Sequence, residues 1–165
     1  MRPPPPIVPG PGQESVWDYP RPPRLEPSAS HIVVELGGRI LADTSRSLRV
    51  LETSQPPAYY LPPDDVDVAR LEPSPTRTVC EWKGVASYVS VVVDGRRVAD
   101  AGWCYPSPAP AFEALRGHFA FYAQVMDRCL VDGEVVDPNE GSFYGGWITS
   151  KVVGPFKGGA GSAGW

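Results

Sequence analysis

This chain lacks most of the residue patterns that small enzymes use for chemistry. It holds two histidines, His31 and His118, and three cysteines, Cys80, Cys104 and Cys129, with no Cys-x-x-Cys pairing among them. Structural zinc wants four close ligands, so no metal site is expected. The cysteines read as small buried hydrophobes, and His118, in an apolar run, reads as a satisfied core residue. An odd count of unpaired cysteines also argues against a disulfide framework and points to a reduced, cytoplasmic protein. No apolar run approaches the length of a membrane span, and the first residues show no apolar h-region of a secretory signal. The formal charge is −4, with acidic and basic residues interspersed. Without a basic stripe, nucleic acid is not an expected partner. There is no Walker pattern, and Ser162 lacks the first flanking glycine of a nucleophile elbow. A literal G-x-G-x-x-G stands at Gly159, Gly161 and Gly164. It has no helix after it to present amides to a pyrophosphate, so it is a chance match.

Proline, by contrast, is abundant and uneven. Ten of the 21 prolines fall in the first 29 residues. Proline fixes φ and removes a donor, so residues 1–29 are expected to form an extended, disordered, solvated tail of polyproline II character. That leaves residues 30–165 as a single domain, large enough to bury roughly two-thirds of its unfolded surface. The clearest local signals are turns. Gly37-Gly38, Asp94-Gly95 and Asp132-Gly133 each separate two β-prone runs, as primed hairpin turns require. Further strands are expected at Leu48–Glu52, Ala58–Leu61 and Thr76–Glu81. Pro108–Arg116 is the best helix candidate, with Phe112 and Leu115 on one face. Phe119–Met126 fits either a strand or a continued helix. The sequence predicts a mainly β fold with a minor α component: a compact antiparallel barrel or sandwich with one or two short helices. Phe156 and Trp165 are expected to fold back onto the sheets.

Asp65-x-Asp67 is the only Asp-x-Asp. Paired carboxylates can hold a divalent cation, but these two follow Pro62-Pro63 and read better as caps at a helix start. Three segments are dense in Trp and Tyr beside one titratable group: Glu52 to Pro62, Cys80 to Tyr88, and Asp100 to Pro106. Aromatic side chains with polar tips line ligand pockets; they also build ordinary sandwich cores. Strand alternation sends one of Tyr59 and Tyr60 inward and the other out, so at most one should be core. Lys83, between Trp82 and Gly84, is either a solvated turn residue or a pocket cation, the former being the default.

These same segments resemble the signature blocks of the family of unknown function number 427: Glu52 to Pro62, Thr78 to Tyr88 and Asp100 to Pro108. The ending from Gly154-Pro-Phe-Lys-Gly-Gly to Trp165 also resembles bacterial members. The sequence departs at Glu81, where members commonly carry proline. The resemblance implies a compact β fold similar to the tent-like folds of methionine sulfoxide reductase and cereblon ligand-binding domains. Those relatives hold zinc by paired cysteines that are missing here. A nucleotidyltransferase-like label carried by the family implies a divalent-metal-dependent transferase.

Three functions are therefore carried forward. The first is a small-molecule-binding domain, with Trp82, Tyr88, Trp103 and Tyr105 as walls and Tyr60, Cys80 and the charged pair Glu52 and Lys83 as further lining. Lys83 would favour an anionic or carbonyl-bearing ligand. The second is an enzyme using the same pocket, with Glu52 as acid or base and Lys83 stabilising negative charge. Cys80 or Cys104 as a nucleophile is a weaker variant, since the sequence shows no base beside either. The third is an interaction module in which the proline-rich tail docks on another protein. No cofactor is indicated.

Overall fold

In the computed structural model, residues 2–141 and 144–165 are described. In chain order the strands are β1 (Glu14–Ser15), β2 (Arg24–Ser28), β3 (Ile32–Leu36), β4 (Arg39–Thr44), β5 (Ser47–Leu51), β6 (Ala58–Tyr60), β7 (Leu71–Cys80) and β8 (Gly84–Val93). They continue with β9 (Arg96–Cys104), β10 (Phe119–Phe121), β11 (Arg128–Val131), β12 (Glu134–Val135), β13 (Asp137–Pro138), β14 (Trp147–Ile148) and β15 (Val152–Val153). The chain is mainly β, and its sheets pack in a sandwich-like way without closing into a barrel. One four-stranded sheet runs β10-β9-β8-β7, a second runs β12-β11-β3-β4, and a three-stranded sheet runs β2-β5-β6. A bridge between Leu61 and Phe119 ties the three-stranded sheet to the first. Among the described residues, no helix is long and apolar enough to cross a membrane.

The three expected hairpins are all present: β3–β4, β8–β9 and β11–β12 are antiparallel pairs. Their central residues, Gly37-Gly38, Asp94-Gly95 and Asp132-Gly133, all have positive φ. That backbone matches the right-handed twist of the flanking strands. Gly37 has a second reason to be glycine, since a Cβ there would come within 2.6 Å of Val93.

The expected helix at Pro108–Arg116 is reduced to a 3-10 segment, Pro110–Leu115, interrupted at Phe112. Prolines 106, 108 and 110 hold the preceding residues extended, and so shorten it. Phe112 and Leu115 nonetheless bury their side chains. Phe119–Met126 resolves into β10 followed by a single 3-10 turn. Asp65 and Asp67 cap no helix by their side chains. Asp65 instead accepts from Thr44 Oγ1 at 2.7 Å and from Arg46, and Asp67 pairs with Arg70. His118 is half-buried at a turn rather than in the core, because Gly117 turns the chain out just before β10. Of the cysteines only Cys129 is buried; Cys80 and Cys104 are half-buried.

The largest departure from expectation is the N-terminal segment. Residues 14–28 join the fold. β1 pairs in parallel with β15, and β2 pairs along its full length with β5. Val16 and Tyr19 are buried against Leu51 and Val152, with Trp17 and Phe156 at the margin. Trp17 also packs against Trp165, ring centroids 5.9 Å apart, so the C-terminal aromatics do fold back. Prolines are tolerated because β2 is an edge strand, where a missing N–H leaves no ladder bond unmade. Arg49 on β5 fastens the segment, bonding Glu14 at 2.9 Å and also Glu26.

Arg49 holds the Glu14 carboxyl below the usual glutamate range, chiefly through their hydrogen bond. The folded chain thus resists protonation more than the unfolded chain does. The stability this adds is complete above the ordinary glutamate range and is lost as pH falls through the lowered value. Urea denaturation from neutral to acidic pH should show this decline, and Arg49→Met should flatten it.

Two larger clusters form the rest of the interior. One gathers Ile32, Val34, Leu36, Leu41, Val91, Phe121 and Trp147 between the two four-stranded sheets. The other is aromatic and holds Tyr60, Tyr88, Trp103, Tyr105, Phe112 and Tyr122. Strand alternation does send Tyr59 and Tyr60 to opposite faces, but both faces are covered. Tyr59 packs in the first cluster and Tyr60 in the second, so both are core.

Candidate functional site

The aromatic cluster does not fill its space. A cavity of about 240 Å³ lies between it and the chain at residues 144–146 and 157. All eight side chains singled out from the sequence line it: Glu52, Tyr60, Cys80, Trp82, Lys83, Tyr88, Trp103 and Tyr105. Sheet register explains the convergence. Thr78 and Cys80 alternate to the same face of β7, and Tyr88 on β8 is the direct partner of Trp103 on β9. Tyr60 arrives from the other sheet, because the Leu61–Phe119 bridge sets β6 beside β10.

Two hydrogen-bonded lines cross the walls. In the first, Trp103 Nε1 donates to the Tyr60 hydroxyl at 3.1 Å, and the Tyr105 ring packs against that of Tyr60, centroids 6.1 Å apart. In the second, the Tyr88 hydroxyl lies 3.2 Å from Thr78 Oγ1 and 3.3 Å from the Tyr122 hydroxyl. Burial pushes the Tyr60, Tyr105 and Tyr122 phenols above the ordinary tyrosine range. They are neutral at physiological pH, and offer a ligand hydrogen bonds rather than charge.

Lys83 is not a solvated turn residue: it is only 9% exposed. Cys80 and Gly84 are register partners, so Glu81-Trp82-Lys83 makes a tight turn between β7 and β8. The loop before Pro110 braces that turn, with Ala109 N donating to the Lys83 carbonyl at 2.9 Å. Gly84, with φ of 111°, permits the approach. The Lys83 ammonium lies 5.7 Å from the centroid of the Tyr105 ring, a cation–π geometry. Burial alone would lower its pKa. The surrounding Tyr60, Cys80 and Glu52 side chains outweigh that and hold it above the ordinary lysine range, so the group is a cation. Among the described residues it makes no ion pair.

Glu52 follows β5 and is paired with Arg21 of the N-terminal segment, Nε to Oε2 at 3.4 Å. Trp82 is half-buried at the rim, next to exposed Glu81.

The far wall was missed by the sequence reading. Tyr144, Gly145, Gly146 and Lys157 line the cavity from the C-terminal part of the chain, and Tyr122 and Gln55 complete it. The Lys157 ammonium lies 5.4 Å from the Tyr144 ring centroid. Gly145 sits directly on the Trp103 indole, with no room for a Cβ. The consecutive glycines before Trp147 were the one available signal of such a close approach. Among the described residues, no three His, Cys, Asp or Glu side chains gather as metal ligands would.

No curated protein matches the chain. A family model described as Domain of unknown function (DUF427) matches residues 24–132. That span contains the eight lining residues read from the sequence and stops before the far wall. Since it covers about two-thirds of the sequence, including the edge strand β2 and the hairpins β3–β4 and β8–β9, the chain belongs to the DUF427 family.

Proposed function

We propose that this is a small-molecule-binding domain whose ligand presents an anionic or carbonyl group to Lys83 and a flat apolar body to Trp103, Tyr88 and Tyr105. The observation that carries the reading is the buried Lys83 ammonium, which makes no ion pair among the described residues, in a cavity lined largely by aromatic side chains. The site already favours the charged form of Lys83, and an anionic ligand would add a charge-assisted contact to it. The neutral phenols would orient the ligand by hydrogen bonds.

The test is thermal-shift screening of the full chain against nucleotides, sugars, amino acids and small acids, with and without magnesium or manganese. A ligand at a hundred times its dissociation constant should add about 2.7 kcal/mol of stability. Lys83→Met should weaken an anionic hit roughly tenfold to a hundredfold, the loss of one charge-assisted bond. Hits that bind Lys83→Met as well as the parent would sink the reading.

A second reading, an enzyme with Glu52 and Lys83 as its polar pair, draws support from their sharing one cavity. The nucleotidyltransferase version requires nucleotide binding that depends on a divalent metal. Asp65 and Asp67 are poor candidates to hold that metal, since each is tied to an arginine. Glu52 as a free base is weakened by its pairing with Arg21.

A further inference from the structure

The three thiols sit in different surroundings. Cys129 is buried on β11, and burial pushes its thiol up to about 12. Cys104 is half-buried on β9 and is also pushed up by burial. Cys80 alone of the three lines the cavity, and Lys83, three residues on across the tight turn, lines the same cavity. The tight turn between β7 and β8 makes this pairing. Residues 80 and 83 turn inward while Val79 and Glu81 face solvent. A thiolate next to a fixed cation is the reactive form of cysteine.

The rest of the site limits what such a thiolate can do. The phenols are weak acids, held neutral by burial, and the Glu52 carboxylate is tied to Arg21, so beyond the Lys83 ammonium the described residues offer no strong general acid. Thiol–disulfide exchange needs none, because the leaving group departs as a stable thiolate. The cavity beside Cys80 has room for a substituent of several non-hydrogen atoms, with a cation to meet an acid group.

We propose that Cys80 is a covalent capture site for small disulfides that carry a carboxylate. This rests on the pocket reading above. Cys80 first gives its proton to solvent. Its sulfur then attacks the nearer sulfur of RS–SR, forming a new S–S bond as the old one breaks. The other half leaves as RS⁻ with the electron pair and takes a proton from solvent. The disulfide is the oxidant, one Cys80 thiol is consumed and one small thiol is released. The retained half lies in the aromatic cavity with its carboxylate toward Lys83.

The test follows mixed-disulfide formation on the full chain by intact mass and peptide mapping. Its two matched reagents are dithiodipropionate and the neutral diamide of the same acid. The expected result is one fast adduct, mapped to Cys80 and absent in Cys80→Ser. Dithiodipropionate should react about tenfold faster than the diamide, as one charge-assisted contact implies. Lys83→Met should erase that preference and slow the adduct, whereas Lys83→Arg, which keeps the charge, should retain both. Fast labelling at Cys104 or Cys129, or equal rates for the two reagents, overturns the proposal. Cys80→Ser separates the two ideas. If it still binds reversible ligands while the parent shows no fast thiol, capture fails and the pocket stands. If parent and Cys80→Ser bind nothing in the ligand panel and Lys83→Met labels like the parent, the pocket reading has failed.

Discussion

A chain lacking residues 1–29 is expected to lose about 4 kcal/mol of stability or more, and to unfold in mild urea or fail to fold at all. The deletion removes β2 and exposes one whole edge of β5. It strips Val16, fully buried, and Tyr19 from Leu51 and Val152; one such buried aliphatic side chain is worth about 1.5–3 kcal/mol. It also takes both carboxylate partners from Arg49, whose side chain is only 16% exposed. Stranding a largely buried charge costs about 3–5 kcal/mol when burial is complete, so the lower end applies here. Deleting only residues 1–11 should change stability by less than about 1 kcal/mol. Those described residues are mostly exposed, their main tie being Ile7 N to the Gly154 carbonyl. Urea midpoints of the two deletions decide the matter. A 1–29 deletion as stable as the parent would mean that β1 and β2 are dispensable ornaments on the fold. Any study of the domain in isolation should therefore begin no later than Gly12.

Trp103→Ala should lower stability by about 3–5 kcal/mol, as truncating a buried aromatic residue does. Trp103 is buried, makes an edge-on contact with Tyr60 and lies 4.7 Å from the Tyr122 ring. Its Nε1 is a donor to a fully enclosed Tyr60 hydroxyl, and Gly145 rests on its outer face. Trp103→Phe should separate the two contributions. It keeps much of the ring and removes the donor, so a loss of about 1–2 kcal/mol is expected. Equal losses in the two variants would assign the role to the hydrogen bond; no loss in either would remove Trp103 from the core.

The parts of the fold legible in the sequence were those specified locally. Gly37-Gly38, Asp94-Gly95 and Asp132-Gly133 announce their hairpins because few other residue pairs accept two positive φ values in succession. The near wall of the cavity was legible for a related reason. Thr78, Cys80, Lys83 and Tyr88 belong to one hairpin, where register alone sets who faces whom. The far wall depends on contacts between distant parts of the chain, and Lys157 carries no local mark of the cavity it reaches. The prolines misled in the N-terminal segment because they report what a residue lacks rather than whether its position needs it. Pro27 sits opposite Leu48 in an edge strand where no N–H is required. Tyr59 and Tyr60 misled because alternation tells that two faces differ, and not that either is wet.

The parallel pairing of Glu14 with Val152 has a consequence for synthesis. A chain made from its N-terminus exposes residue 14 to solvent long before residue 152 leaves the ribosome. The β3–β4, β8–β9 and β11–β12 hairpins can pair as they emerge, since their partners are near neighbours. The seam around Val16 must wait, its apolar side chains unsheltered, until the C-terminal part arrives to cover them. Closing so large a loop is slow compared with forming a hairpin. The prolines flanking that seam, Pro9 and Pro11 before it and Pro20, Pro22 and Pro23 after it, suit the wait: flanks poor in free N–H donors are a poor template for another nascent strand to pair with.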